Sequence, residues 1–284
     1  MRRIGLLGLM LAVFTTSPAY ATVFWDDDFE GSPPFAVGGT WGQIGACPSQ
    51  PEGCTPFGPY RVNDVAHSGT HSLKSHYEFA CGMVDGISGC GTHINRTYTA
   101  TNDVYMRWWT KFVNNQVNPI AGSKQMYNRT TTENLNFMLV VWHIFPGDAT
   151  IGGIFAHNGY LSFCPPGNIP GAQDQACNMR PNMGNTANIL DGQWHCIETR
   201  VNSGTPGNYD GIAEAWVDGV PSMRYTGLAI KAPGFDSKWD SIMHYAQLGD
   251  GDRYIDQLAV GDSRIGCGNV SVQNPNPPAG LLVR

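Results

Sequence analysis

The segment Val-Tyr-Met-Arg-Trp-Trp-Thr-Lys-Phe, residues 104–112, indicates the fold class because its side chains follow a two-residue period. In a β-strand, successive side chains point to opposite faces of the sheet. One face of this segment is polar and aromatic: Tyr105, Arg107, Trp109 and Lys111. The other face is apolar: Met106, Trp108 and Phe112. Such a two-sided strand is typical of an antiparallel sheet with one solvated face.

Similar short runs recur along the chain, whereas helical periodicity is nearly absent. Between them lie turns rich in Gly, Pro, Asn and Asp, and the chain holds 35 glycines and 19 prolines. The further predicted strands are 124–129, 135–145, 151–156, 160–163, 194–201, 211–217, 241–248 and 253–260. Many short strands at this spacing predict an all-β, two-sheet antiparallel sandwich.

Composition excludes two classes of protein. The 284 residues carry 17 Lys+Arg against 23 Asp+Glu, a net charge of −6, so a strongly basic nucleic-acid binder is excluded. The apolar content of 42% excludes a disordered polyanion. We expect a monomer that binds neither nucleic acid nor a membrane.

The first 21 residues resemble an export signal. Arg2 and Arg3 precede an apolar stretch at 4–14, and Ala19-Tyr20-Ala21 is a small-x-small cleavage site. The apolar stretch is shorter than the roughly 20 residues that span a bilayer. Removal of 1–21 would leave 263 residues with a net charge of −8. We therefore expect a secreted or periplasmic protein with one domain at 22–270 and a Pro/Asn-rich tail at 271–284.

Eight cysteines suit an oxidising compartment, although they permit 105 pairings. No Cys-x-x-Cys pair occurs, which argues against a zinc site. Closeness in sequence favours four disulfides: Cys47–Cys54, Cys81–Cys90, Cys164–Cys177 and, by remainder, Cys196–Cys267.

Several motifs together resemble the concanavalin A-like lectin/glucanase superfamily, and within it the jelly-roll polysaccharide lyases. They are residues 26–31 (Asp-Asp-Asp-Phe-Glu-Gly), Trp41, 67–73, 191–198, 205–211, 216–219 and 254–260. The resemblance spans most of 24–266. It implies a β-jelly roll whose concave sheet holds a polysaccharide, with no organic cofactor. Because this fold hosts lectins, hydrolases and lyases, it leaves the activity open.

The leading hypothesis is a lyase that cleaves a uronic-acid glycan by β-elimination. A cation or amide must neutralise the carboxylate, a base must remove the adjacent proton, and an acid must protonate the leaving oxygen. Arg107 and Gln125 could do the first, and Tyr127 and His143 the other two. Tyr127 could serve as the base because a neighbouring Arg129 would lower its pKa. The alternative for His143 is a packed core histidine.

Substrate binding is predicted for the polar-aromatic strand faces, where Trp109 would stack on a sugar ring. Lys111, Lys124 and Arg129 would form a local basic cleft that offsets the negative net charge. The alternative is an ordinary solvated sheet face.

The second hypothesis is a glycoside hydrolase with Glu198 and Glu214 as its two carboxylates and Trp216 beside them. The alternative interpretation of these two glutamates is a structural salt bridge, for which Arg200 is an available partner. Glu198 could bind substrate in either mechanism. A third hypothesis is a non-catalytic lectin-like module.

The resemblance also implies a structural Ca²⁺ that ties Glu30 to Asp256, with main-chain oxygens near Ser68 and Gly69. Calcium prefers such oxygen ligands. The alternative is that these acidic stretches are solvated turns.

Overall fold

The protein is described by a computed structural model. It describes residues 22–31, 42–44, 59–77, 83–84, 88–89, 92–116, 123–131, 138–145, 147–157, 176–231, 233–247 and 250–268. The signal sequence, the tail from 271 and six of the predicted disulfide cysteine side chains lie outside these residues (Cys47, Cys54, Cys81, Cys90, Cys164 and Cys177). Within the described ranges, no helix is long and apolar enough to cross a membrane.

Eight strands form the first sheet, and every pairing in it is antiparallel. Seven of them run across the sheet in this order: β15 (Val220–Leu228), β14 (Gly211–Val217), β13 (Trp194–Asn202), β8 (Asp103–Gln116), β17 (Asp250–Gly261), β4 (Ser72–Tyr77) and β3 (Tyr60–Val62). The eighth, β1 (Val23–Asp27), pairs with the second half of β17.

Seven strands form the second sheet, again antiparallel throughout. Their order is β12 (Ala176–Met179), β11 (Gly152–His157), β10 (Met138–Ile144), β9 (Ser123–Arg129), β16 (Trp239–Gln247), β7 (Thr92–Thr101) and β2 (Gly42–Ile44). A separate ribbon pairs β5 (Met83–Val84) with β6 (Ser88–Gly89).

The two sheets bury one continuous apolar core between them. The eight-stranded sheet contributes Met106, Trp108, Phe112, Ile197 and Ile255, among others. The seven-stranded sheet contributes Ile94, Met126, Val140, Trp142 and Ile242. This confirms the predicted all-β, two-sheet antiparallel sandwich and the apolar face of residues 104–112. The side of each sheet that faces away from the other is its outer face.

A β-bulge at Gln125 interrupts the regular alternation of β9. The pairing of β10 with β9 shifts register between Trp142 and His143, and the pairing with β16 shifts at the same level. Gln125 has no partner in either ladder, so it is the extra residue. Because a shift of one residue moves the rest of a strand to the opposite face, Lys124 lies on the same face as Tyr127.

The segment that follows β17 is fastened onto the outer face of the eight-stranded sheet. A disulfide joins Cys196 in β13 to Cys267, as predicted.

The turn that follows β14 also agrees with the sequence, because Asp218 and Gly219 both have positive φ (52° and 80°), as in a type I′ hairpin.

Candidate functional site

The structure separates the four side chains that the sequence grouped as catalytic. Arg107 lies in β8, on the outer face of the eight-stranded sheet, because its neighbours Met106 and Trp108 point into the core. Tyr127 lies on the outer face of the other sheet, opposite the inward Met126. The two outer faces are opposite surfaces of the sandwich. The prediction that Arg107 acts beside Tyr127 is therefore wrong.

Gln125 is also not where the sequence alternation placed it. Its amide Nε2 donates to Ser123 Oγ at 2.9 Å, and its Oε1 accepts a hydrogen bond from the guanidinium of Arg253. Arg253 reaches it from β17, on the same inward face as Ile255. Gln125 thus lies between the sheets, and its predicted role at the substrate is wrong because the bulge turns it inward.

Tyr127 lies in a small apolar cluster on the outer face of the seven-stranded sheet. It is the cross-strand partner of Val141 on one side and Met243 on the other. These three residues pack together with Leu139, and Tyr127 keeps only 5% of its surface exposed. These contacts fix the Tyr127 ring on the outer face of the sheet.

Lys124 and His143 are cross-strand partners on this same outer face. Burial lowers the pKa of Lys124, which increases the share of its neutral amine. His143 is 2% exposed and its ring centroid lies 4.9 Å from that of Phe145. His143 is therefore a buried histidine, as its alternative interpretation predicted. It lies on the outer face of the sheet, however, and not in the core between the two sheets.

Arg129 completes this group, two residues beyond Tyr127 on β9. Its Nη1 lies 4.0 Å from the sulfur of Met243. Its Nε is buried and has no hydrogen-bond partner within the described ranges. A buried donor without an acceptor costs free energy, so this N–H is available to a ligand. We call Lys124, Tyr127, Arg129 and His143 the β9–β10 site.

The two carboxylates of the hydrolase hypothesis are held by internal partners on the other sheet. Glu198 is fully buried and accepts hydrogen bonds from the backbone N–H groups of Ile265, at 2.6 Å, and Gly266, at 3.2 Å. Arg264 approaches its other oxygen at 3.3 Å. Glu198 therefore anchors the segment after β17 and is not open to a substrate.

Glu214 is ion-paired on both sides, to Arg200 at 3.0 Å and Arg224 at 3.1 Å. The salt-bridge interpretation is thus confirmed for Glu214, with Arg200 as the expected partner. Trp216 lies beside it beneath the guanidinium of Arg264, 4.6 Å from its ring centroid. Its indole face is already covered.

The other predicted substrate-binding residues divide between the two surfaces. Trp109 is on the outer face of the eight-stranded sheet, stacked on His67 with ring centroids 3.7 Å apart. Lys111 follows on the same face, between its cross-strand partners Trp194 and Tyr254. Only Lys124 and Arg129 lie with Tyr127.

Glu30 holds the loop at residues 67–71 through hydrogen bonds to its carboxylate. Oε1 accepts the backbone N–H groups of Thr70 and His71, both at 2.7 Å, and Oε2 accepts the Thr70 hydroxyl at 2.8 Å. Although desolvation raises the pKa of Glu30, these hydrogen bonds prevail and lower it to about 2.

Asp256 holds the other end of the same loop. Its Oδ2 accepts the N–H groups of His67 and Ser68 at 2.8 and 3.0 Å, and its Oδ1 accepts that of Gln257 at 2.7 Å. Desolvation raises its pKa to about 6 despite these donors. N–H groups thus point at the carboxylate oxygens that calcium would need. The described residues also contain no group of three or more His, Cys, Asp or Glu that could hold a metal. These observations do not test the predicted calcium at Glu30 and Asp256, which stays a prediction.

No protein-family model and no curated protein matches the sequence, but solved structures do. Alginate lyase vAL-1 from a Chlorella virus aligns with a TM-score of 0.54 and 11% identity, over 72% of this chain and 89% of that one. The endo-β-1,4-glucuronan lyase of the fungus Trichoderma reesei gives 0.50 and 14%, over 72% and 86%. A non-specific endo-β-1,3(4)-glucanase of family GH16 gives 0.50 and 15%, over 87% and 94%.

These three structures are jelly-roll, concanavalin A-like folds, so the chain has that fold. At such low identity, the likeness does not extend to an activity. The expected resemblance is confirmed at the level of fold.

Sequence reasoning missed the place of Lys124 beside His143. Strict alternation from Tyr127 puts Gln125 on its face and Lys124 on the opposite one, and no glycine or proline in 123–129 marks a bulge. No signal in the strand itself could have shown the exchange.

Proposed function

We propose that this protein is a polysaccharide lyase that cleaves a uronic-acid-containing glycan by β-elimination at the β9–β10 site. The observation that carries the proposal is the buried Nε of Arg129, which has no hydrogen-bond partner among the described residues and lies on the same face as Tyr127 and a lysine of lowered pKa. An anion receptor, a proton acceptor and a proton donor are what this elimination needs.

Arg129 would bind the uronate carboxylate next to the reacting carbon. A guanidinium matches a carboxylate in shape as well as charge, and it stays protonated in proteins. Its positive charge would stabilise the negative charge that develops on the carboxylate when the C5 proton leaves.

The neutral amine of Lys124 would take the C5 proton. The electron pair of the C–H bond would then form the C4=C5 double bond as the C4–O4 bond breaks. The hydroxyl of Tyr127 would give its proton to the departing O4. His143 would act as a positioning residue that fixes the Lys124 amine. This assignment makes Tyr127 the acid, whereas the sequence had suggested it as the base, and it gives the role of the base to Lys124.

Mass spectrometry of the products tests the proposal. The purified protein would be incubated with alginate and glucuronan, and with a neutral β-glucan for comparison. We expect fragments of the acidic glycans that lack an added water and absorb ultraviolet light through the new double bond. Fragments with an added water would instead establish a hydrolase. Retention on a glycan without any fragments would establish a binding module.

Export of the protein belongs to the same proposal. The Cys196–Cys267 disulfide supports it, because structural disulfides form and persist in oxidising compartments.

A further inference from the structure

A polar cavity of 110 Å³ lies on the outer face of the eight-stranded sheet, away from the β9–β10 site. One water molecule needs roughly 10–15 Å³ of such space, so the cavity can hold several ligand atoms. Six of its lining residues carry the argument: Asp26, Asp28, Ser68, Arg107, Gln257 and Ala259. Asp26 and Asp28 are exposed, so the cavity is reached from solvent.

The cavity exists because a small residue separates two charged ones. Asp26 in β1 pairs with Ala259 in β17, and Ala259 pairs with Arg107 in β8, so the three form one cross-strand row. Partners in such a row point to the same side of the sheet. The methyl group of Ala259 leaves space between the carboxylate and the guanidinium.

Arg107 brings an unused hydrogen-bond donor to this cavity. The side chain is 3% exposed, and its Nε is buried without a hydrogen-bond partner in the part of the chain that the structure describes. Its single hydrogen bond there runs from Nη1 to the carbonyl oxygen of Gly268, at 3.4 Å. A buried guanidinium N–H without an acceptor is costly, so the cavity favours a ligand that accepts this bond.

A polar wall and a carboxylate acceptor face the same space. A bulge in β17 between Asp256 and Ala259 projects the side chain of Gln257, whose Nε2 donates to Ser68 Oγ at 2.8 Å. The same side chain also forms a hydrogen bond with His67, so Gln257 is held in place at the wall of the cavity. The carboxylate of Asp26 supplies an acceptor at the cavity mouth.

We propose that this cavity binds adjacent hydroxyl groups of a neutral sugar, one donating to Asp26 and its neighbour accepting from Arg107. Charge selects this class of ligand. A metal ion would meet the buried guanidinium of Arg107, and an anion would meet the carboxylates of Asp26 and Asp28. A hydroxyl group both donates and accepts without adding a charge. The site is independent of the proposed elimination, which uses the opposite surface.

Binding of simple glycosides tests the site. The probes are methyl α-D-mannopyranoside, methyl β-D-glucopyranoside and methyl β-D-galactopyranoside, followed by saturation-transfer NMR and calorimetry with the full chain. We expect at least one of these glycosides to bind with a dissociation constant of about 1 mM. Sodium glucuronate should bind less tightly because of its charge. If none of the three glycosides binds up to about 0.1 M, the proposal is wrong.

Two substitutions of Asp26 locate the ligand and identify its class. Asp26→Ala should weaken glycoside binding by about tenfold or more, since it removes a charge-assisted hydrogen bond. Asp26→Asn keeps a hydrogen-bonding group and should stay within about threefold of wild type. The matched control Asp64→Ala changes an exposed carboxylate outside the cavity and should bind as wild type does.

A titration with calcium chloride tests the alternative that the cavity binds a cation. A site for a cation would bind Ca²⁺ and lose it in both Asp26→Ala and Asp26→Asn, and this result would overturn the sugar site. Unchanged glycoside binding by Asp26→Ala would overturn it too, because the ligand would then sit elsewhere.

Discussion

The two glutamates of the hydrolase hypothesis and the basic residues of the β9–β10 site lie on opposite outer faces of the sandwich, and the fold satisfies the two groups differently. On the eight-stranded sheet, Glu198 is surrounded by N–H donors from the segment after β17, and Glu214 lies between two arginines. On the seven-stranded sheet, Arg129 keeps a buried N–H that no described residue accepts, and burial lowers the pKa of Lys124. The type of residue therefore does not distinguish a binding site from a structural contact. The two are distinguished by whether the fold leaves some hydrogen-bonding groups without a partner.

Tyr127→Phe should give the largest effect if the β9–β10 site is catalytic. Loss of a proton donor typically slows a reaction by about 10²–10⁴-fold, while the melting temperature should change little because the ring remains. The rate is followed through the unsaturated product. Tyr105→Phe is the matched control on the opposite surface and should retain full turnover. Equal loss in both variants would contradict the assignment.

The disulfide tests the structural role of the eight-stranded face. Replacement of Cys196 and Cys267 by serine frees a loop that closes over a separation of 71 residues. A loop of this length predicts a loss of about 4 kcal/mol in the free energy of unfolding. Urea unfolding measures it. Elimination per folded molecule should not change, and a selective loss of turnover would connect this face to the chemistry.

Glu198→Gln sharpens the comparison further, because the hydrolase hypothesis and the structure predict different results. We expect a loss of about 2–3 kcal/mol in stability, since the amide NH₂ of glutamine would face N–H groups that the carboxylate now accepts. Urea unfolding and product formation are measured on the same preparation. A large loss of turnover at unchanged stability would restore the carboxylate as a catalytic group.

The sequence predicted the sandwich well because alternation survives wherever strands are regular. Residues 104–112 show this, since their apolar set lies in the core and their polar set outside it. It failed at Gln125, where one extra residue reverses every side chain that precedes it in β9. It also failed for Arg107, because alternation gives the face of a strand but not the sheet to which the strand belongs. Long-range pairing determines the sheet, and no local pattern encodes it.

Glu30 and Asp256 repeat the comparison on a smaller scale, as two carboxylates that hold one loop with opposite pKa shifts. Glu30 has a folded pKa of about 2, below its usual 4.5, so its stabilising effect is present above pH 4.5 and is lost as the pH falls toward 2. Asp256 has a folded pKa of about 6, above its usual 3.8, so its effect is present below pH 3.8 and is lost as the pH rises through 6.

The stability difference between wild type and each amide variant should therefore change with pH in opposite directions. The advantage of wild type over Glu30→Gln should shrink as the pH falls below about 4.5, whereas its advantage over Asp256→Asn should shrink as the pH rises from about 4 to 6. Urea unfolding at a series of pH values measures both. Parallel pH profiles would show that amide donors dominate at both carboxylates. The pKa of Asp256 would then be lowered as that of Glu30 is, because its three N–H donors would outweigh the effect of desolvation.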